Sequence, residues 1–307
     1  FKQKTAYEIP KRDWSSDVCS SDLAIAVTVV TSGRAQKNPT LPDVLQAAAT
    51  YLNEYSAKLG AVESEEALTQ RETSAGTFGT GHYWRAELIF VGLGGGQIAA
   101  YRDMFELEKS PARPADSRLL GLFHDDPVQG VREAEKLTAA SAGVGIAPGM
   151  VVFNNPVLPL GYLKQDSQSK SSFKLDGVKN DKGAQIATLR FQVQGKTQPG
   201  ADLAAGTLQG RFWIDAATGT VRQTEVLFTN PGLDVRAGVQ YALDPQTKVW
   251  LPATMDSKYE MSSSGDGAAT TVGQGQSANS YRSHQTIETD VKFTKYKQVT
   301  VDVTKLK

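Results

Sequence analysis

The sequence predicts a mainly β (α+β) protein: one large curled antiparallel sheet, or open β-barrel, of about ten strands, with helices as lid or plug. Three observations predict it. From Ser172 onward apolar residues recur at every second position, which is the pattern of an antiparallel sheet with one dry and one wet face. Short turns rich in Gly, Asn and Asp separate the candidate strands, and such turns join antiparallel neighbours. Helical periodicity is confined to one early segment and one interlude, too little for the strand–helix alternation of a parallel sheet.

Composition narrows the function classes. The chain has 307 residues, 40% hydrophobic and 21% charged, with 33 cationic and 33 anionic side chains. This length and apolar content allow a sizeable core. A balanced chain lacks the basic footprint of a nucleic-acid binder. The densest basic run, Lys292, Lys295 and Lys297, is interrupted by aromatic residues and fits a solvated strand face. No stretch approaches the ~18 apolar residues of a membrane span.

Residues 1–23, FKQKTAYEIPKRDWSSDVCSSDL, closely resemble the translation of a DNA-sequencing adapter that recurs at the ends of metagenomic gene models. The segment carries equal numbers of cations and anions, so the charge balance holds without it. It also contains Cys19, the only cysteine, so disulfides, thiolate nucleophiles and Cys-ligated zinc are not expected beyond it. Residues 24–35 follow as a small and apolar run ending in Ser32-Gly33-Arg34-Ala35. They read as the remnant of a secretory signal peptide, with Gly33 and Ala35 at −3 and −1, and predict export to the periplasm or the extracellular space. Residues 40–303 are then expected to form a single β-rich domain.

Thr40-Leu41-Pro42-Asp43 opens a helix with a cap, a first-turn proline and an acid at the positive end. Leu41, Val44, Leu45, Ala48, Leu52, Tyr55 and Leu59 form its apolar stripe, and Gly60 stops it. Strands are predicted over 62–71, 82–93 and 97–107, and a helical interlude over 116–142, where Asp126-Pro127 supplies a cap and first turn. Pro148 to Gly161 reads as a Pro/Gly-rich connector with one helical turn. Ser172–Val178 and Gln185–Gln194 pair around Asn180–Gly183, and Gly210–Asp215 and Val221–Thr229 around Ala216–Gly219. Leu233, Val235, Ala237, Val239, Tyr241 and Leu243 share one face of the next strand; Leu251, Ala253, Met255, Tyr259 and Met261 repeat the pattern. Residues 262–280 read as a flexible Ser/Gly-rich loop, and the last strands as about 287–303.

No residue set predicts catalysis, a metal or a cofactor. Phe90-Val91-Gly92-Leu93-Gly94-Gly95-Gly96 imitates a dinucleotide turn, but Gln97 stands where the third glycine belongs and too few residues follow for the phosphate-binding helix. A glycine-rich hairpin loop fits better. His82, His124 and His284 form no H-x-x-x-H pair, and adjacent His124-Asp125-Asp126 reads as a surface turn. No G-x-S-x-G elbow occurs. The pairs Glu65/Glu66 and Glu106/Glu108 could serve acid–base chemistry; as solvated strand charges they need no such role. Phe212, Ile214, Val226, Phe228, Val239, Tyr241, Leu251, Met255 and Phe293 are placed on one concave face. They are either plain core or, if the sheet stays open, the wall of a cavity for an acyl chain or other apolar ligand.

The run Gly210-Arg211-Phe212-Trp213-Ile214-Asp215-Ala216-Ala217-Thr218-Gly219-Thr220-Val221 resembles a hairpin found in exported bacterial proteins of unknown function. Gln240-Tyr241, Lys248–Pro252, Phe293–Tyr296, Tyr51–Tyr55 and Tyr101–Glu106 fit that family too, so the resemblance covers most of 40–303. More remotely, over 205–262, it is similar to Lol-type periplasmic lipoprotein carriers. Those carriers are open antiparallel half-barrels with a helical lid, shielding lipid chains in an apolar cavity. The resemblance implies that 41–59 and 116–142 are lid or plug elements; it identifies no counterpart of the carriers' functional arginine, for which Arg85 and Arg102, near the early strands, are the candidates by position. The long insert and extra N-terminal strands depart from the carriers. The leading expectation is a non-enzymatic binder of a lipid or acylated protein. The alternatives are an envelope interaction module with a filled core, partnered by an envelope protein, and a hydrolase using Glu106 and Glu108.

Overall fold

The computed structural model describes residues 38–74, 77–79, 81–125, 127–142, 153–197, 205–264 and 282–302. The adapter-like segment, the predicted signal remnant, Asp126 and the greater part of the 262–280 loop lie outside these residues. Helix α1 (Leu41–Leu59) is followed by β1 (Ala61–Ser74), β2 (Thr77–Phe78), β3 (His82–Gly94), β4 (Gln97–Leu107) and β5 (Ser110–Pro111). Then come α2 (Arg118–Asp125), α3 (Pro127–Ala142), a 3-10 helix (Leu158–Leu163) and the single turn α4 (Gln165–Gln168). The meander β6 (Ser171–Asp181), β7 (Ala184–Val193), β8 (Thr207–Asp215), β9 (Val221–Asn230), β10 (Leu233–Leu243), β11 (Trp250–Ser264) and β12 (Arg282–Val299) completes the chain.

Hairpins among β3–β5 and β6–β12, joined by the pairing of the first strand β1 with both β3 and the last strand β12, order the sheet as β5-β4-β3-β1-β12-β11-β10-β9-β8-β7-β6, with β2 paired to β1 outside that path. Every pairing is antiparallel, and β5 and β6 are the two ends, so the sheet stays open. This is the mainly β architecture the alternation predicts. The last predicted strands are one strand, β12, beginning five residues earlier than expected. Leu243 departs from its stripe: it is 51% exposed at the last position of β10, past a register shift at Gln240/Tyr241.

Helix α1 starts as its sequence predicts. Thr40 accepts from the Asp43 N–H and the Asp43 carboxylate accepts from the Thr40 N–H, a reciprocal capping box. Its buried stripe (Val44, Ala48, Leu52, Tyr55, Leu59) belongs to one apolar cluster with β1, β3 and β7–β12. Two glycines set how closely it lies. A Cβ on Gly92 of β3 would stand 2.0 Å from the Ser56 carbonyl oxygen, and one on Gly219 would stand 2.0 Å from that of Ala47. The glycine-rich run at 92–96 is therefore a hairpin loop serving helix packing.

Strands β1, β3 and β4 are covered on both faces. Val62, Leu88, Phe90 and Ala100 join the interior cluster. Their alternate neighbours Ala61, Ile89, Val91 and Tyr101 join a second cluster with Leu119, Phe123 and Ala134 of α2 and α3. The expectation of 116–142 as a lid or plug element is thereby corrected, since α2 and α3 join the outer cluster and not the interior one. These helices pack on the outer face of the N-terminal strands, and α3 also caps the edge of β4: Thr138 Oγ1 and Ser141 Oγ accept from the Arg102 and Met104 N–H groups.

Candidate functional site

The concave face is the interior where the predicted stripe converges. All nine predicted residues are buried there: Phe212, Ile214 and Phe228 completely, Val226, Val239, Tyr241, Leu251, Met255 and Phe293 nearly so. They belong to one cluster with α1 and with Phe153, Val157, Leu160 and Leu163. Phe153, Val157 and Leu160 come from 148–161, which the sequence read as a Pro/Gly-rich connector with one helical turn, and Leu163 follows it. Residues 153–163 are the plug. It stands outside the sheet ladder, and its aromatic rings lie on those of the strands: Phe153 on Phe228 at 5.5 Å and Tyr162 on Phe191 at 5.1 Å.

Phe191 is the hub that sequence reasoning missed. It stacks on Phe212 at 4.7 Å and lies 6.3 Å from Phe173, and with Ala187 and Leu189 it forms the dry face of β7. The period of two along Ala187-Leu189-Phe191 is the signal that could have found it. Val235, Tyr259, Ile287 and Val291 belong to the same interior and follow the same parity.

Three polar bonds tie the plug and its neighbouring turn down. The Tyr241 hydroxyl donates to the Pro156 carbonyl oxygen at 2.6 Å, and the Arg102 guanidinium donates to the Asn154 carbonyl oxygen at 3.0 Å. Gln168 Nε2 reaches the Leu45 carbonyl oxygen of α1 at 3.2 Å. Burial raises the Tyr241 phenol well above its ordinary value, so it stays a neutral donor. Arg102 is itself buried and forms a two-pronged pair with Glu66, Nε to Oε2 at 2.5 Å and Nη2 to Oε1 at 2.8 Å.

The structure separates the other singled-out residues. Arg85 lies on the outer face between Glu65 and Glu106 (2.9 Å to each) and over the Phe105 ring at 5.0 Å. Of the two candidate arginines, Arg102 alone faces the interior. Burial opposes ionisation of Glu65, but hydrogen bonds from Lys295 and Arg85 hold it below its ordinary value. Glu106 and Glu108 do not form a dyad on one strand face: Glu108 sits in the turn after β4 at φ 50° and meets His82 Nδ1 at 2.8 Å, while Glu106 pairs with Arg85. Glu65 and Glu66 are likewise split between faces, to Arg85 and to Arg102. His124 and His284 are exposed. Among the described residues no group of three His, Cys, Asp or Glu side chains could hold a metal ion. No helix among them is long and apolar enough to cross a membrane.

Fold and interior together define an open antiparallel sheet with a helix and a short 3-10 segment packed against its concave face. Solved structures of similar fold include the LolA superfamily protein NE2245 from Nitrosomonas europaea, at 8% identity over 83% of this chain and 94% of that one, with a TM-score of 0.36. They also include a DUF1329 family protein from Desulfovibrio piger, at 9% identity over 85% and 94%, with a TM-score of 0.32. No protein-family model and no curated protein matches the sequence. Likenesses at this level leave the activity to be read from the site itself.

Proposed function

We propose that this chain is an exported, non-enzymatic carrier that takes an apolar chain, a lipid or the acyl group of a modified protein, into the half-barrel interior. The observation that carries the proposal is the plug. The innermost space of the sheet is filled by a short 3-10 segment outside the ladder, seated by ring contacts and a few polar bonds. An acyl chain offers Phe228, Phe212, Val239 and Phe191 the same apolar contact that Phe153, Leu160 and Tyr162 now supply. Exchange of plug for ligand then needs little net apolar exposure.

If binding requires plug release, weakening a latch raises the binding-competent fraction and tightens apparent affinity. Tyr241→Phe keeps the ring and removes one buried hydrogen bond, worth about 1 kcal/mol. A fluorescent fatty acid titrated into the full chain is expected to bind the variant about fivefold more tightly than the parent. Native mass spectrometry is expected to show co-purified lipid. Absence of lipid together with no fatty-acid binding by either protein defeats the proposal. It would favour the second reading, an envelope interaction module with a filled core, which the near-complete burial of all nine stripe residues supports.

A further inference from the structure

On the opposite side of the sheet, beneath the chain leading into α2, lies a cleft of about 220 Å³. Glu63 of β1 and Glu87 of β3 line it, with Glu65, Phe105, Asp116 and Lys295. Glu65 pairs directly with Glu87 across the ladder, which puts Glu63 one diagonal step away on the same face. Each carboxylate of the Glu63/Glu87 pair is held by one oxygen only. Glu63 Oε1 accepts from the Ser117 hydroxyl at 2.7 Å, and Glu87 Oε2 accepts from Arg113 Nη2 at 3.0 Å. The other oxygens, Glu63 Oε2 and Glu87 Oε1, are buried without a partner, although Glu87 is only 5% exposed. Two buried carboxylate oxygens without donors cost more than a folded protein ordinarily tolerates.

The charge balance points the same way. Glu63, Glu65, Glu87, Asp103, Glu106 and Asp116 share this face with the cations Arg85, Arg113, Arg118 and Lys295. Each of these four is engaged by a carboxylate, and Lys297, opposite Glu63 in the ladder and exposed, adds a fifth cation, so six acids face five cations. A β-bulge then aims an ammonium at the cleft. Glu63 pairs with Lys297 but Glu65 pairs with Thr294, so β12 carries one extra residue opposite Ser64. Lys295, in this bulge, adopts a left-handed φ of 57° and sets its Nζ 2.7 Å from Glu65 Oε2.

We propose that this cleft is a binding site for a small organic primary amine, its ammonium bridging Glu63 Oε2 and Glu87 Oε1 and its carbon chain lying on Phe105. An ammonium supplies the three donors these acceptors lack. Lys295 on Glu65 shows the same chemistry one residue away. Ca²⁺ or Mg²⁺ is the poorer occupant, since each demands six or more oxygen ligands. The site lies on the face away from the plugged interior and does not depend on how that interior is used.

Isothermal titration of the full chain at pH 8 with n-butylamine, n-butanol and Ca²⁺ tests the assignment. The amine is expected to bind with a dissociation constant of about 1 mM or tighter. Glu87→Gln and Glu63→Gln are each expected to weaken it at least about tenfold, as loss of one charged hydrogen-bond acceptor implies. Fatty-acid uptake should stay unchanged in Glu63→Gln, whose partner Ser117 is exposed and whose fold is thereby least at risk. No amine binding to the parent, equal affinity for n-butanol, binding of Ca²⁺ alone, or full amine affinity in Glu63→Gln would each overturn it.

Discussion

The two halves of the sheet solve burial differently. In β6–β12 one face is dry and the other wet, and the arginines of the wet face keep much of their side chains in solvent: 51% for Arg190, 46% for Arg211 and 64% for Arg236. In β1, β3 and β4 both faces are covered, by α1 within and by α2–α3 without. Charges there are enclosed in pairs. Arg102 and Glu66 keep 6% and 1% of their side chains exposed, and Arg113 keeps 10% between Glu87 and Asp103. An ion pair's worth follows its solvation. A half-exposed pair gains little over its hydrated members, whereas a buried one cannot lose a partner without stranding a charge. In the C-terminal half the buried partners are carboxylates, Glu225 and Asp215, whose arginines stay partly in solvent, whereas in the N-terminal half both members of the Arg102–Glu66 and Arg113–Glu87 pairs are enclosed.

The largest expected effect breaks the comparison at its most buried pair. Arg102→Met strands Glu66, which has no exposure, and is expected to cost about 3–5 kcal/mol of unfolding free energy. Adding Glu66→Leu removes the stranded charge and should recover most of that loss, leaving the Asn154 carbonyl unserved. Urea unfolding of parent, single and double variants measures both. A single variant within 0.5 kcal/mol of the parent would mean the two halves do not differ in this respect.

A smaller effect concerns Glu87. Burial pushes its carboxyl up to about 7, against the Leu119 N–H and the Arg113 guanidinium, which favour the charged form. Between the ordinary carboxyl value and 7 the folded state therefore holds a proton that the unfolded state has released. Stability contributed by that proton is complete below the unfolded value and falls as pH rises, by on the order of 3 kcal/mol up to pH 7, and levels off just above it. Glu87→Gln is expected to flatten this slope in unfolding measurements at pH 4.5 to 7.5. An unchanged slope assigns it to another group.

The same division governs what the sequence reveals. In the C-terminal half, alternation such as Leu233-Val235-Ala237-Val239-Tyr241 states which face is dry, while strand limits follow it less closely, by up to five residues at β12. The burial of all nine stripe residues was legible for that reason. In the N-terminal half, Glu87, Asp103 and Arg113 have the chemistry of surface residues, and only the helix laid over them makes them interior. A local pattern carries no notice of a cover supplied from thirty residues away. The plug escaped for a related reason: Phe153 to Leu163 has neither period, only proline and glycine between apolar side chains, so its destination is set by the cavity it fills. Glu63 and Glu87 escaped because they meet across neighbouring strands, a register that no spacing within one strand encodes.

The smallest effect sharpens the comparison from the other side. Arg190 binds Asp176 through both Nε and Nη2, at 3.1 and 2.9 Å, a geometry as regular as many buried pairs. If hydrogen-bond geometry decided the worth of a pair, Arg190→Met would resemble Arg102→Met. Solvation predicts otherwise. Half of the Arg190 side chain is in water, Asp176 lies at a register shift of the edge strand β6 with 21% of its own exposed, and water replaces the lost donors. Arg190→Met is expected to change the unfolding free energy by less than about 0.5 kcal/mol. It should also weaken the salt dependence of stability slightly, since a surface pair is screened and a buried one is not. A loss above 2 kcal/mol would show that the wet face of the C-terminal half is held as tightly as the enclosed face of the N-terminal half, and that solvent exposure is the wrong variable for dividing this sheet.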